Sequence, residues 1–231
     1  MSGYYEQKLA ASLLERCYEL APPRVQQYLR AEVDFAVDRL RPTDIILDLG
    51  CGYGRTLPDM ARAAAFVVGV DTSEPSLGLA RKRLVGFSNV LLARMEASSL
   101  GFVDSSFDAV TCIQNGISAF RVDQRELVRE ALRVLKSAGT AMFSSYSDGF
   151  WEHRLGRFEA QAAAGLIGEV DGQLTGNGVI VCVDGLTLAA IGPTEFASLA
   201  AGLDAELEST EVDGSSWFYV LKKPPSERNS R

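Results

Sequence analysis

The sequence predicts an α/β protein built on a doubly wound, mainly parallel sheet. Three observations carry this. Ile45 to Leu49 reads as a short apolar strand, and it runs through Gly50-Cys51-Gly52-Tyr53-Gly54 into an amphipathic helix from Leu57 to Ala65. Ala65 to Asp71 is apolar up to its final acid, as expected of a parallel strand covered on both faces. Strand and helix patterns then alternate as far as Tyr146, which is the order of a βαβ succession.

Taken in order, residues 1 to 40 read as two helices. Leu9, Leu13, Cys17 and Leu20 form one stripe, Pro22-Pro23 breaks it, and Val25, Leu29, Val33 and Val37 form the next. The glycine turn brings backbone N–H groups and a helix start to the carboxyl end of a strand, where open α/β sheets bind ligands. Glycine permits positive φ and lets a ligand approach bare backbone. Asp71 ends the second strand 17 residues beyond Gly54, and a carboxylate there can accept hydrogen bonds from a ribose diol. Thr72 and Ser73 suit capping of a helix over Ser76 to Val85. Val90 to Ala93 reads as a third strand, the segment headed by Asp108 as a fourth, and Thr140 to Tyr146 as a fifth. Between the last two, Glu126 to Leu135 has helical spacing, with Gly139 as its stop. Phe150 to Leu166 reads as a helix, and Val179–Val183 with Leu186–Ala190 as a hairpin about Asp184-Gly185. A helix over Pro193 to Leu203 and a strand over Trp217 to Leu221 close the fold.

Composition limits the partners. At 231 residues and 47% hydrophobic the chain can bury a substantial core. The formal charge of −7 leaves no overall field for phosphate backbones, so no nucleic-acid partner is expected. No apolar run reaches the ~18 residues of a membrane span, and the start lacks a signal-peptide pattern. The expectation is a cytoplasmic protein with no membrane partner, working as a monomer or homodimer. Cys17, Cys51, Cys112 and Cys182 form no C-x-x-C pair, so reduced thiols and no metal site are expected.

The glycine spacing chooses between cofactors. A dinucleotide fingerprint puts its third glycine at the sixth position, which here is Arg55. Asp48-Leu49-Gly50-Cys51-Gly52-Tyr53-Gly54 instead resembles motif I of the class I S-adenosylmethionine-dependent methyltransferases. Glu96-Ala97 stands where that family has an acid and a small residue beside the adenine, with Glu in place of the commoner Asp. Leu100-Gly101-Phe102 follows in place of Leu-Pro-Phe. Asp104 to Cys112 resembles the family's turn into its fourth strand, where Asp108 would fix the turn. Arg133-Val134-Leu135-Lys136-Ser137-Ala138-Gly139 is close to its Arg-Val-Leu-Lys-Pro-Gly-Gly.

The resemblance implies a seven-stranded sheet and S-adenosylmethionine as cofactor, with S-adenosylhomocysteine as product. It implies cofactor contacts from Asp48, Gly50, Cys51, Gly52, Gly54, Asp71, Thr72, Glu96, Ala97, Gln114 and Asn115. Gln114 and Asn115 also fit plain loop residues. One domain spans 1–223: N-terminal helices 1–41, a cofactor-binding core 42–146, a small α/β cap 147–192, and a C-terminal helix and strand 193–223. A disordered tail, 224–231, follows.

In that family a segment before motif I folds over the cofactor, so Tyr4, Tyr5 and Tyr28 either close the site or simply pack on the core. The cap and N-terminal helices are expected to form the acceptor pocket, with Tyr5, Tyr146, Trp151 and Arg154 binding substrate. Aromatic and arginine side chains together suit a small carboxylated acceptor. Tyr146 and His153 are the candidates for a catalytic role. His153 suits proton removal from an amine or hydroxyl, and equally suits a helix surface. No Asn-Pro-Pro-Tyr follows the fourth strand, where Gln114-Asn115-Gly116-Ile117 stands. The resulting expectation is methyl transfer to an N or O nucleophile of a small molecule. The competing readings are a non-catalytic S-adenosylmethionine-binding module and an NAD-dependent dehydrogenase.

Overall fold

The computed structural model describes residues 4–226. The chain begins with α1 (Tyr4–Gln7), α2 (Ser12–Glu19) and α3 (Pro23–Val37). The core follows as β1 (Ile45–Leu49), α4 (Leu57–Ala63), β2 (Phe66–Asp71), α5 (Glu74–Arg83), β3 (Val90–Arg94), β4 (Phe107–Cys112), α6 (Gly116–Ala119), α7 (Gln124–Val134) and β5 (Leu135–Tyr146). A 3-10 turn (Asp148–Phe150) leads to α8 (Trp151–Ala163) and the hairpin β6 (Val179–Val181) and β7 (Thr187–Ala189). The chain closes with α9 (Pro193–Ala200), β8 (Glu206–Val212) and β9 (Ser216–Lys222).

Seven strands form one sheet in the order β3-β2-β1-β4-β5-β9-β8. The pairs from β3 through β5 are parallel, whereas β9 runs antiparallel to both β5 and β8. Strand order therefore reverses between β1 and β4, which lie side by side with Leu47 opposite Val110. The carboxyl ends of those two strands make the switch-point crevice where such sheets take ligands.

Alternation along β1 explains why both faces are covered. Leu47 and Leu49 enter one apolar cluster with Val110, Leu127, Ala131, Phe143 and Phe196, beneath α7 and α9. Ile46 enters another with Leu57, Met60, Val67, Leu77 and Ala80, beneath α4 and α5. Gly69 in β2 lies between these contacts: a Cβ there would sit 2.9 Å from both Cys51 Sγ and Leu57 Cδ1. The close seating of the turn and α4 on β2 depends on that missing side chain.

Four details differ from the sequence-based expectations. The N-terminal region has three helices rather than two, because Ala11 takes φ 51° and donates its N–H to Ser76 Oγ at 2.9 Å. Gly139 is not a helix stop. It lies within β5, where Asp108 O and the Leu135 side chain leave no room for a Cβ, and the register shift opposite Asp108 absorbs the irregular residues. The edge strand β8 escaped notice, since Glu206, Glu208, Ser209 and Glu211 give it no continuous apolar pattern. Of the tail expected from 224 onward, the described part reaches 226, and Pro224 O accepts from Ala138 N. Residues 227–231 lie outside the described residues.

Candidate cofactor and acceptor site

The turn after β1 takes positive φ at Gly50 (74°), Gly52 (53°) and Gly54 (78°). The N–H groups of Gly50 and Cys51 both reach Val70 O, which folds the turn back onto β2. The Gly52 N–H instead donates to Asp71 Oδ2 at 2.9 Å, and Asp71 Oδ1 accepts from Ser73 N at 2.8 Å. Asp71 is thus aimed at the turn by two backbone donors, while its burial still holds its pKa above the ordinary carboxylate range. Ser73 caps α5 through Ser76 N, as its position suggested, and Thr72 offers its carbonyl to Arg94.

Asp48 lies behind the turn. It is buried and accepts from Thr111 Oγ1 at 2.7 Å and Thr56 Oγ1 at 3.3 Å. Burial pushes its carboxyl up to about 6 despite those two donors. Cys51 lends its backbone to the turn, while burial pushes its thiol well above the ordinary value. Ala97 is buried in the apolar cluster of Leu49, Val70 and Leu100, and Glu96 is exposed and accepts from Ser98 Oγ.

A narrow cavity of about 60 Å³ lies in front of the turn, lined by Asp48, Gly50, Gly52, Arg55 and Gln114 and closed by Leu14 and Tyr18 of α2. Two nitrogens, Arg55 Nη2 and Gln114 Nε2, are buried without a partner among residues lining it. Orphaned donors beside a bare-backbone turn suit a ligand bearing a carboxylate. The α1–α2 segment is tied down over this region by Glu6–Arg94 and Glu15–Arg83 ion pairs. Tyr4 reaches across to the hairpin and donates to Asp184 Oδ2 at 2.5 Å.

Gln114 and Asn115, both in left-handed backbone after β4, have different employments. Gln114 faces the cavity. Asn115 is buried away from it, donating to Ala189 O at 3.0 Å and accepting from Ser145 Oγ at 2.8 Å. Its amide ties β4, β5 and the hairpin together.

Three of the four residues expected to bind substrate cluster, the Arg154 guanidinium carbon lying 4.4 Å from the Tyr146 ring and 5.9 Å from the Trp151 ring. Tyr146 stacks among Tyr28 and Phe150, with ring centroids 5.2 and 6.3 Å away. Tyr5 adjoins this group electrostatically, through Tyr146, Tyr18 and Arg157. Trp151 and Arg154 line a different, larger cavity of about 410 Å³ with Asp148, Asn177 and Ala190. Arg154 is 1% exposed and donates to Gly178 O at 2.7 Å and Leu188 O at 2.8 Å. That makes it the brace between α8 and the hairpin. His153 is exposed on α8 beside the Phe150 ring and lines neither cavity, so it is not placed for proton transfer there.

Two buried charged side chains near the site carry little mark of it in the sequence. Glu32 of α3 is fully buried, accepts from Gln114 N at 2.8 Å and keeps Oε1 without a partner. Arg157 of α8 is buried and donates to Tyr146 Oη at 3.1 Å. The one available signal was an acid and a base on the apolar stripes of amphipathic helices.

Comparison with known proteins agrees with this geometry. A family model described as "Methyltransferase domain" matches residues 46–139. Demethylmenaquinone methyltransferase of Clavibacter sepedonicus is 40% identical over 102 residues, covering 44% of this chain and 41% of that protein. 2-Methyl-6-phytyl-1,4-hydroquinone methyltransferase of Synechocystis sp. is 26% identical over 148 residues, covering 57% and 46%. The chain thus spans less than half the length of these curated relatives.

Among solved structures, an S-adenosylmethionine-dependent methyltransferase from Methanosarcina mazei superposes with a TM-score of 0.62 at 20% identity, covering 83% of this chain and 98% of that one. The N-methyltransferase NodS from Bradyrhizobium japonicum, solved with S-adenosylhomocysteine, gives 0.62 at 15%, covering 95% and 96%. The [4+2]-cyclase SpnF gives 0.61 at 18%, covering 97% and 87%, so the fold alone does not dictate methyl transfer. Residues 46–139 thus match a methyltransferase domain, and the sheet order with the Asp-x-Gly-x-Gly-x-Gly turn at its switch point gives the chain the fold of these S-adenosylmethionine-dependent methyltransferase structures.

Proposed function

We propose that the chain is an S-adenosylmethionine-dependent methyltransferase acting on an N or O nucleophile of a small molecule. The observation that supports it best is the Gly52 N–H···Asp71 pair, which locks a bare-backbone turn against the one carboxylate suited to a ribose. In this reading Gly50, Gly52, Gly54 and Asp71 hold the nucleoside part. Arg55 and Gln114 take the amino-acid end, Ala97 packs against the base, and Glu96 hydrogen-bonds it. When bound, the cofactor supplies a sulfonium methyl group with a strong leaving group. What the chain must then provide is positioning and exclusion of water.

The α1–α2 segment and the cap, residues 147–192, enclose the acceptor in this proposal. The negative charge argues against nucleic-acid acceptors, and we place the protein in the cytoplasm as a monomer or homodimer. Among the described residues no helix is long and apolar enough to cross a membrane.

A thermal-shift panel tests the cofactor. Ligand at ~100 times its dissociation constant adds roughly 2.7 kcal/mol of apparent stability. Shifts with S-adenosylmethionine and S-adenosylhomocysteine, and none with NAD or NADP, are expected. A shift with NAD, or with none of the four, overturns the proposal.

A further inference from the structure

Arg157 is a buried cation without a counter-ion. It is 7% exposed and forms no ion pair among the described residues. One nitrogen donates to Tyr146 Oη at 3.1 Å, and Nε is buried with no partner. The groups around it are phenols: Tyr146, Tyr18, Tyr28 and Tyr5 are its electrostatic neighbours. Tyr28 Oη, in the same cluster, is also buried and unpartnered. Arg157 Nε and Tyr28 Oη are thus both left open in this cluster, and a buried guanidinium left so is costly unless something else completes it.

Arg154, one turn earlier on α8, is also buried and also keeps Nε without a partner, but its two terminal nitrogens donate to the carbonyls of Gly178 and Leu188. Arg55 lines the cavity before the glycine turn and belongs to the cofactor end of the site. The Tyr18 ring, which lines that cavity, contacts both guanidinium groups, 4.8 Å from the Arg55 carbon and 5.0 Å from that of Arg157.

We propose that the acceptor carries a carboxylate, and that Arg157, assisted by Tyr28 Oη, binds it while the nucleophile is turned toward the glycine turn. This rests on the methyltransferase reading above and adds the substrate class to it. A planar guanidinium with a free Nε edge is the natural partner of a carboxylate, which accepts two parallel hydrogen bonds. The surrounding tyrosines favour an acid with an aromatic or otherwise flat apolar body.

The test is calorimetry on the full chain saturated with S-adenosylhomocysteine, using 4-hydroxybenzoate and its neutral isostere 4-hydroxybenzamide as probes. The acid should bind at least about tenfold tighter than the amide, from the charge-assisted pair. Arg157→Gln should abolish that preference and leave the affinity for S-adenosylhomocysteine within about twofold. Equal affinities for the two probes, or no binding of either, overturn the proposal. So does a preference that survives Arg157→Gln. A loss of S-adenosylhomocysteine affinity in that variant, with the preference retained, would assign Arg157 to the cofactor instead. Should Arg157→Gln fail to fold, the comparison of acid with amide on the unaltered protein decides by itself. If S-adenosylhomocysteine does not bind the unaltered protein, it is the methyltransferase reading that fails, and acid over amide is then measured without it.

Discussion

The backbone N–H of Gln114 donates to the Glu32 carboxylate at 2.8 Å, joining the helix before the core to the carboxyl end of β4. Glu32 is fully buried, and burial pushes its carboxyl up to about 7 against the hydrogen bonds from Ser144 and Gln114. A carboxyl whose value is higher in the fold than in the unfolded chain binds its proton more tightly when folded. Its contribution to stability is therefore complete below the ordinary 4.5, declines as pH rises toward 7, and is level above that. Glu32→Gln, a neutral replacement that still accepts from Gln114, should match the parent near pH 4.5 and exceed it above pH 7. The rise from 4.5 to about 7 sets an upper limit of roughly 3 kcal/mol on the gain. Urea unfolding from pH 4.5 to 8 measures it; a gain that shrinks with rising pH would contradict this sign.

Asp71 and Tyr146 are expected to separate cofactor binding from acceptor binding. Asp71→Ala removes a charged acceptor beside the turn and also releases Gly52 N. Loss of ~1.5–3 kcal/mol, or about ten- to a hundredfold in affinity for S-adenosylhomocysteine, is expected. Tyr146→Phe should change that affinity less than about threefold, because its hydroxyl faces Arg157. Equal losses in a titration would refute the division of roles.

Gly50 has no tolerance for a side chain. Its φ is 74°, and a Cβ would lie 2.4 Å from the Phe120 ring. Left-handed backbone costs roughly 1–2 kcal/mol for a residue with a Cβ, and the collision adds to it. Gly50→Ala should destabilise the chain by at least about 2 kcal/mol in thermal or urea melts.

Arg154 and His153 are neighbours with opposite expectations. Arg154→Met keeps the bulk but strips two hydrogen bonds from buried carbonyls, so a loss of about 2–4 kcal/mol is expected. His153→Ala, on the exposed side of α8, should stay within about 0.5 kcal/mol of the parent. Comparable losses in the two melts would show that the brace is not where the stability lies.

Much of the site was legible because its chemistry is local. Asp48, Gly50, Gly52, Gly54 and Asp71 sit on one strand-turn-helix and the next strand end, and hydrophobic patterning reports such elements directly. Gln114 and Asn115 were equally legible as residues following β4. Which one faced the cavity was not, because two successive left-handed residues turn their side chains in different directions. Gly139 misled for a related reason: after a helix it reads as a stop, but here it is needed by the close approach of Asp108 O across the β4–β5 ladder.

By itself the sequence determined the alternation of buried strands and amphipathic helices and the conformation of the glycine turn. Those features follow from side-chain periodicity and from φ restrictions, which act over a few residues. The tertiary structure alone decided which polar side chains are buried with an atom left unpaired. Glu32, Arg55, Gln114 and Arg157 come from four separate elements, and only packing shows that each keeps a buried polar atom without a partner. An unpaired donor or acceptor is a property of surroundings in three dimensions, so no spacing along the chain announces it.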